Sequence, residues 1–307
     1  MPQPPKRLVI ATRASRLALW QAEHIATRLK ALYPTCELLL QPMSTKGDEV
    51  LDKSLSAVGG KGLFIKELEV ALLQGRADLA VHSLKDVPME LDPAFVLAAI
   101  TAREDPRDAL VGCEDLAALP GGSVVGTSSL RRQAIVMATF PHLKVQALRG
   151  NLDTRLAKLD SGLYCAIVLA AAGLKRLGYT QRIAKILSTE EMLPSAGQGA
   201  LGIEALASRE DVRAALQALQ DPATTLCTLA ERAVSKALGG SCSMPLAAHA
   251  VVQADGQLWL RAWIGAVDGS RYLVAQAVQA AEESSESLGE RVAQILQENG
   301  AQALLSP

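Results

Sequence analysis

The segment His82-Ser83-Leu84-Lys85-Asp86 puts an imidazole, a hydroxyl, an ammonium and a carboxylate side by side, directly after the apolar run Leu79-Ala80-Val81. Such a run predicts a strand, and loops at strand ends are favoured ligand sites in layered α/β chains. Asp86 is the candidate acid/base. Its carboxylate can pair with cationic or N–H groups, and burial would raise its proton affinity toward the range useful for transfer. The bland alternative is a carboxylate that caps a turn or pairs with a neighbouring cation. His82 is read either as a neutral donor or as a packed, satisfied core residue.

A second group is cationic. Arg13 follows one predicted strand, Arg131 and Arg132 fall in the first turn of a predicted helix, and Arg149 and Arg155 bracket Gly150-Asn151 and the helix start beyond it. A guanidinium forms two parallel hydrogen bonds to a carboxylate, so converging arginines would receive a ligand carrying several carboxylates. The backbone N–H groups of Ser128 and Ser129, at a helix start, suit the same task. Taken singly, these arginines read as solvated surface residues.

The third feature is Gly239-Gly240-Ser241-Cys242-Ser243-Met244-Pro245. Glycines on one side let the backbone present Cys242 on a tight loop, as a nucleophile or as the anchor of a covalently attached group. Cys165, beside Ala166-Ile167-Val168, reads as a core residue. A Cys242–His249 hydrolase stays open, without a spacing rule to support it. VGGKG around Lys61 lacks the Ser or Thr that must follow the lysine of a nucleotide-binding phosphate loop.

The elements that must hold these groups alternate. Leu8–Ala11 predicts a strand, and Leu17, Trp20, Gln21, Ile25 and Leu29 a helix; Glu37–Met43 predicts a second strand. Ser44–Gly62, rich in Gly, Ser and charge, suggests a mobile flap. Phe64, Leu68, Ala71 and Leu72 recur at helical spacing before the strand at Leu79. The pattern repeats from about Thr101, with Val124–Gly126 and Ala166–Ala170 as strands and Leu152, Leu156 and Leu159 on a helix face. Pro194–Gly199 suggests a crossing point. From about Pro222 a helix, two strands around Asp255-Gly256 and a final long helix suggest an α+β domain.

Composition bounds the rest. The 307 residues suffice for two or three domains. With 31 Lys and Arg against 32 Asp and Glu the formal charge is −1, so no global field attracts nucleic acid or a membrane surface. Aromatic residues are only 3%, which argues against a base-stacking platform. Five scattered cysteines without a CxxC pair fit reduced thiols, no metal is expected, and no apolar run predicts export or a membrane span.

Together IATRASRLALWQ, KGLFIKELE, AVHSLKDVP, VGTSSLRRQ, LRGNLDTRL, PSAGQGALGIE and LGGSCSMP resemble the porphobilinogen deaminases, also called hydroxymethylbilane synthases, over nearly the whole chain. The resemblance implies an α/β fold class. Two lobes like those of periplasmic binding proteins, with mixed sheets, enclose a cleft, and a smaller α+β C-terminal domain follows. The boundaries it implies are 1–100 with 197–219, 101–196, and 220–307. The implied activity condenses four porphobilinogen molecules, releases four ammonia and hydrolyses the chain to hydroxymethylbilane in tetrapyrrole (haem) biosynthesis. It also implies a dipyrromethane cofactor, held by a thioether at Cys242, and Asp86 as the catalytic carboxylate. Ser83, Lys85, Ser129, Arg131 and Arg132 match cofactor-binding positions, Arg13, Ser15, Arg149 and Arg155 substrate-binding positions, and Lys61 a flap cation. A cytoplasmic monomer is expected, passing product to the next enzyme of the pathway without a stable complex. Ala57 departs from the lysine common in the flap motif, and Ser241 from a common glycine. The alternative from another class is a noncatalytic binding protein for a small polycarboxylate.

Overall fold

The computed structural model describes residues 5–45, 65–240 and 244–305. Its strands are β1 (Arg7–Arg13), β2 (Glu37–Met43), β3 (Leu79–Ser83), β4 (Phe95–Ile100), β5 (Asp108–Val111), β6 (Val124–Gly126), β7 (Lys144–Gln146), β8 (Ala166–Ala170), β9 (Lys185–Ile186), β10 (Leu201–Leu206), β11 (Leu246–Val252), β12 (Leu258–Gly265) and β13 (Tyr272–Val278). The helices are α1 (Arg16–Leu32), α2 (Lys66–Leu73), α3 (Leu130–Thr139), α4 (Leu152–Asp160), α5 (Ala171–Arg176), α6 (Glu210–Leu216), α7 (Pro222–Ala237), α8 (Ser285–Glu298) and α9 (Gln302–Leu305).

Two sheets share one plan. The first has the order β2-β1-β3-β10-β4 and the second β7-β6-β8-β5-β9. In each, the first three strands are parallel, and the fourth runs antiparallel to both of its neighbours. Parallel strands are covered on both faces, and β3 accordingly buries four residues in succession, Leu79 to His82. Helix α1 forms because Ala18, Gln21, Ala22, Ile25 and Leu29 recur on one face, which it buries against Leu8, Ile10, Val81 and Ile203 of the sheet. Ser15 caps its start, and Pro34 lies just past its end.

The chain divides into two compact units, Met1–Glu104 with Ala200–Thr225, and Asp105–Gly199 with Leu226–Pro307. Within the second unit a separate antiparallel sheet, β11-β12-β13, packs its buried face on α7 and α8 through Val234, Leu260, Leu288 and Val292. Trp263 of β12 reaches the core formed by Val125, Ile135 and Val136. Gly269 lies against α3 so closely that a Cβ there would stand 2.4 Å from the Ala138 nitrogen.

The α/β class with a smaller α+β part agrees with the sequence reading, and two local expectations are corrected. The C-terminal sheet has three strands where two were expected. β13 is an edge strand whose only buried residue is Ala275, so its apolar pattern carries little of a core signature. Cys165 is exposed because β8 begins one residue later, at Ala166; the continuous apolar run suggested burial.

Candidate active site

In the first unit, β1 and β3 run parallel with Ile10 beside Leu79, so both strands deliver their C-terminal residues to the same edge of the sheet. There Arg13, Ser15, Gln21, His82, Ser83 and Asp86 line one recess, walled by Leu17, Ile65 and Val81. Ser15 Oγ accepts the Ala18 N–H at 3.3 Å. Gln21, nearly fully buried, donates from Nε2 to Ser83 Oγ at 2.8 Å, so the Ser83 hydroxyl accepts there and has its hydrogen to donate elsewhere.

Leu84 anchors the following turn. Its side chain is wholly buried, its N–H donates to Ala200 O at 3.0 Å, and its carbonyl accepts the Val87 N–H at 3.1 Å. Gly202 makes room, since a Cβ there would stand 3.0 Å from Leu84 Cδ1. With Leu84 pulled inward, Lys85 and Asp86 are left half-buried on one 3-10 turn. Across the β3/β10 ladder, His82 Nε2 lies 2.8 Å from Glu204 Oε2. Both side chains are buried. Burial, and then the nearby Glu204 charge, push the Glu69 carboxyl on α2 above its ordinary value.

The second unit repeats the strand-to-helix transition. β6 ends at Gly126, and Ser129 caps α3 by accepting the Arg132 N–H at 3.4 Å. Ser128 Oγ donates to Leu148 O at 2.7 Å, tying this turn to the one after β7. Arg149 and Arg155, both half-buried, flank the start of α4. Arg155 Nε donates to Gly150 O at 2.9 Å, and Asn151 caps the helix. Gly150 has φ 109°, and a Cβ there would meet Thr154 Cγ2 at 2.6 Å, so this turn requires glycine.

Arg131 and Arg132 are nearly fully buried, and both turn to Asp108. Arg131 Nη2 donates to Asp108 Oδ2 at 2.7 Å, and Arg132 donates to Asp108 Oδ1 from Nη2 at 2.7 Å and Nε at 3.2 Å. Backbone oxygens take two more bonds, Leu193 O from Arg131 Nη1 at 2.6 Å and Val168 O from Arg132 Nη1 at 3.0 Å. Gln198 Nε2 also donates to Asp108 Oδ1, at 2.8 Å. Burial alone would raise the Asp108 carboxyl, but the two guanidinium groups hold it well below the usual carboxylate range. The Pro194–Gly199 segment is pinned further by Gly197 N–H donating to Glu231 Oε2 at 2.7 Å and Arg176 Nη2 to Gly199 O at 2.6 Å.

The structure thus gathers Arg13, Ser15, Ser83 and Asp86 in one recess, with Lys85 on the same turn. It places Ser129, Arg131 and Arg132 on one helix start and Arg149 and Arg155 beside another. Cys242, Lys61 and Ala57, with the flap beyond Thr45, lie outside the described residues. On the near side of the cysteine loop, Gly240 N–H closes α7 on Ser235 O at 2.6 Å. A Cβ on Gly240 would stand 2.7 Å from that oxygen. The sequence reading did not assign Asp108, Gln198, Glu204 or Glu231. The usable signal was a charged residue next to an apolar strand, as in Asp108-Ala109-Leu110-Val111, because a carboxylate at that place must find a cation. His249 is buried with Nδ1 3.3 Å from Glu231 Oε1, within ion-pair distance though outside hydrogen-bond geometry.

Residues 8–214 match the family described as "Porphobilinogen deaminase, dipyromethane cofactor binding domain", and residues 225–298 match "Porphobilinogen deaminase, C-terminal domain". The chain belongs to the porphobilinogen deaminase family. The porphobilinogen deaminase of Ralstonia nicotianae is 59% identical over 99% of this chain and 92% of that protein. That of Burkholderia thailandensis is 58% identical over 98% and 92%. Among solved structures, the periplasmic aliphatic sulphonate binding protein SsuA of Escherichia coli aligns over 96% of this chain and 88% of its own, with 13% identity and a TM-score of 0.39.

The cofactor of a porphobilinogen deaminase is a dipyrromethane, a group bearing pyrrole N–H donors and acidic side arms. Each unit by itself offers donors that fit such a group. In the second, Arg131 Nε is buried and has no partner among the described residues; in the first, Ser83 Oγ accepts from Gln21 and has a hydrogen to donate. Asp86 offers an acceptor for N–H groups in the same recess as the Arg13 guanidinium. Among the described residues there is no cluster of metal-ligating side chains, and no helix is long and apolar enough to cross a membrane.

Proposed function

We infer that this chain is a hydroxymethylbilane synthase, condensing four porphobilinogen molecules with release of four ammonia and hydrolysing the linear product. The observation that carries this reading is the meeting of Arg13, Ser15, Ser83 and Asp86 at the edge of the first sheet. A cation and two hydroxyls there are suited to acidic side arms, and a carboxylate is suited to N–H groups and the migrating proton. Membership of the family supplies the reaction.

When bound, the dipyrromethane supplies a covalently held pyrrole carbon to which the chain of rings is added. Cys242 would hold it by a thioether. Ser83, Lys85, Ser129, Arg131 and Arg132 would hold its side arms, and Arg13, Ser15, Arg149 and Arg155 those of the substrate. Lys61 belongs to the flap. Each coupling breaks the aminomethyl C–N bond of one porphobilinogen and forms a C–C bond. Ammonia leaves, and one proton is lost from the pyrrole carbon. Asp86 steadies the positive charge as ammonia departs and then accepts that proton on its carboxylate. Near-attack placement is left to the arginines, whose bidentate geometry fixes a carboxylate in orientation as well as position.

The functional division proposed is 1–100 with 197–219, 101–196, and 220–307. The protein acts as a cytoplasmic monomer and passes its product on without a stable complex. The experiment is intact-protein mass before and after denaturation, followed by ammonia release on adding porphobilinogen. A covalent dipyrromethane increment that survives denaturation, with ammonia and hydroxymethylbilane formed, is expected. An unmodified chain that binds a polycarboxylate reversibly and releases no ammonia would contradict the reading.

A further inference from the structure

The two sheets place different residues at one equivalent position. In the first, β10 begins with Leu201 opposite Ser83, the last residue of β3; in the second, β5 begins with Asp108 opposite Ala170, the last residue of β8. An antiparallel strand starts where its parallel neighbour ends, so its first residue reaches the ligand edge of the sheet. The first lobe fills that place with a buried leucine, and the second with a buried carboxylate.

We propose that Asp108 is a positioning residue for the cofactor, aiming the Arg131 and Arg132 guanidinium groups, with Gln198 fixing the carboxylate itself. The inference rests on the functional reading above. One carboxylate between two buried guanidinium groups leaves the cluster with a net single positive charge. That residual charge suits one further carboxylate, such as an acidic arm of the cofactor. The orientation is set by Asp108 Oδ2 on Arg131 and Oδ1 on Arg132. The backbone oxygens of Leu193 and Val168 hold the outer nitrogens, while Arg131 Nε, buried, has no partner among the described residues. Gln198 Nε2 donates to both Asp108 Oδ1 and Pro106 O, so the carboxylate is itself held in place. A carboxylate serving stability alone would not require a buried donor in the cluster to be left without a partner among the described residues.

The test uses full-length Asp108→Asn, Asp108→Glu and Gln198→Met proteins beside wild type. Folding is checked by thermal unfolding, loading by intact mass, and kcat and KM for porphobilinogen on the loaded fraction. Asp108→Asn is expected to acquire the covalent increment about tenfold more slowly. Its loaded fraction should lose kcat by a similar factor while KM stays within about twofold, because the functional reading assigns the pair to the cofactor and not to incoming substrate. Asp108→Glu should recover part of both. A folded Asp108→Asn that loads at the wild-type rate or faster with unchanged kcat overturns the proposal; faster loading would mean that excess positive charge, not aim, governs binding. If Asp108→Asn does not fold, Gln198→Met decides. It leaves every charge in place, so loading slowed about threefold supports the proposal and unchanged loading overturns it. A wild-type chain without the increment would sink the functional reading instead, which separates the two failures.

Discussion

The two lobes are built on one sheet order, yet they present their charged groups in opposite ways. In the first, Arg13 and Asp86 are half-buried and line one recess. In the second, Arg131 and Arg132 are buried and already engaged with Asp108. A buried carboxylate held between two guanidinium groups, as Asp108 is, stays ionised. The first lobe thus presents a half-buried carboxylate in a recess and the second a buried, paired one, although the strand-to-helix turns that carry both are alike.

Cys242→Ala should produce the largest effect, because the contrast between the lobes matters only if a cofactor is held. Activity should fall below detection with no covalent increment by mass, while circular dichroism shows the α/β scaffold retained. The same increment on another residue would reject the anchor. Next, Arg155→Ala and Arg149→Ala should lower kcat/KM by about 10- to 1,000-fold and redistribute covalent pyrrole intermediates, with little change in melting temperature. Intermediates in wild-type proportions would show that these two arginines are surface charges.

A smaller effect separates the lobes by pH. The Asp108 carboxyl lies below its unfolded value of about 3.9, so the stability it contributes is complete above that pH and is lost as pH falls toward the folded value. Asp105, lowered by Arg107 and Lys175, acts in the same direction. Wild-type melting temperature should fall steeply below about pH 4, and Asp105→Asn should flatten the drop by a few degrees. An identical acid limb in the variant would show that the Asp105 pairing contributes nothing. Least of all, Cys165→Ser should change stability by no more than about 0.5 kcal/mol, since the side chain is exposed. Leu84→Ala, by contrast, should cost about 2–5 kcal/mol and loosen the turn beneath Asp86. A large loss at Cys165 would reverse the corrected burial.

Much of this contrast was legible in the sequence. The apolar run Leu79–Val81 located β3, and Ser15 and Ser129 before amphipathic stretches located the helix starts that carry the arginines. The motifs pointed to the ligand chemistry. Burial was not legible. Arg131 and Arg132 look like exposed first-turn cations until β5, remote in the chain and antiparallel, brings Asp108 beside them. Cys165 fails for the opposite reason, because an apolar run does not mark where its own first buried residue begins. Glu204 and Glu231 are hidden likewise, as their partners His82 and Gly197 come from other strands and loops.

The claim that the first-lobe recess carries proton transfer is tested most directly at Asp86. Asp86→Asn, purified with cofactor loading verified by intact mass, is compared with equally loaded wild type by rapid quench, following ammonia release and enzyme-bound intermediates. The amide keeps the side-chain volume but cannot cycle between carboxylate and acid. Ammonia release and ring coupling should fall about 100- to 10,000-fold, with substrate binding largely retained. Near-normal turnover by fully loaded Asp86→Asn would contradict the account.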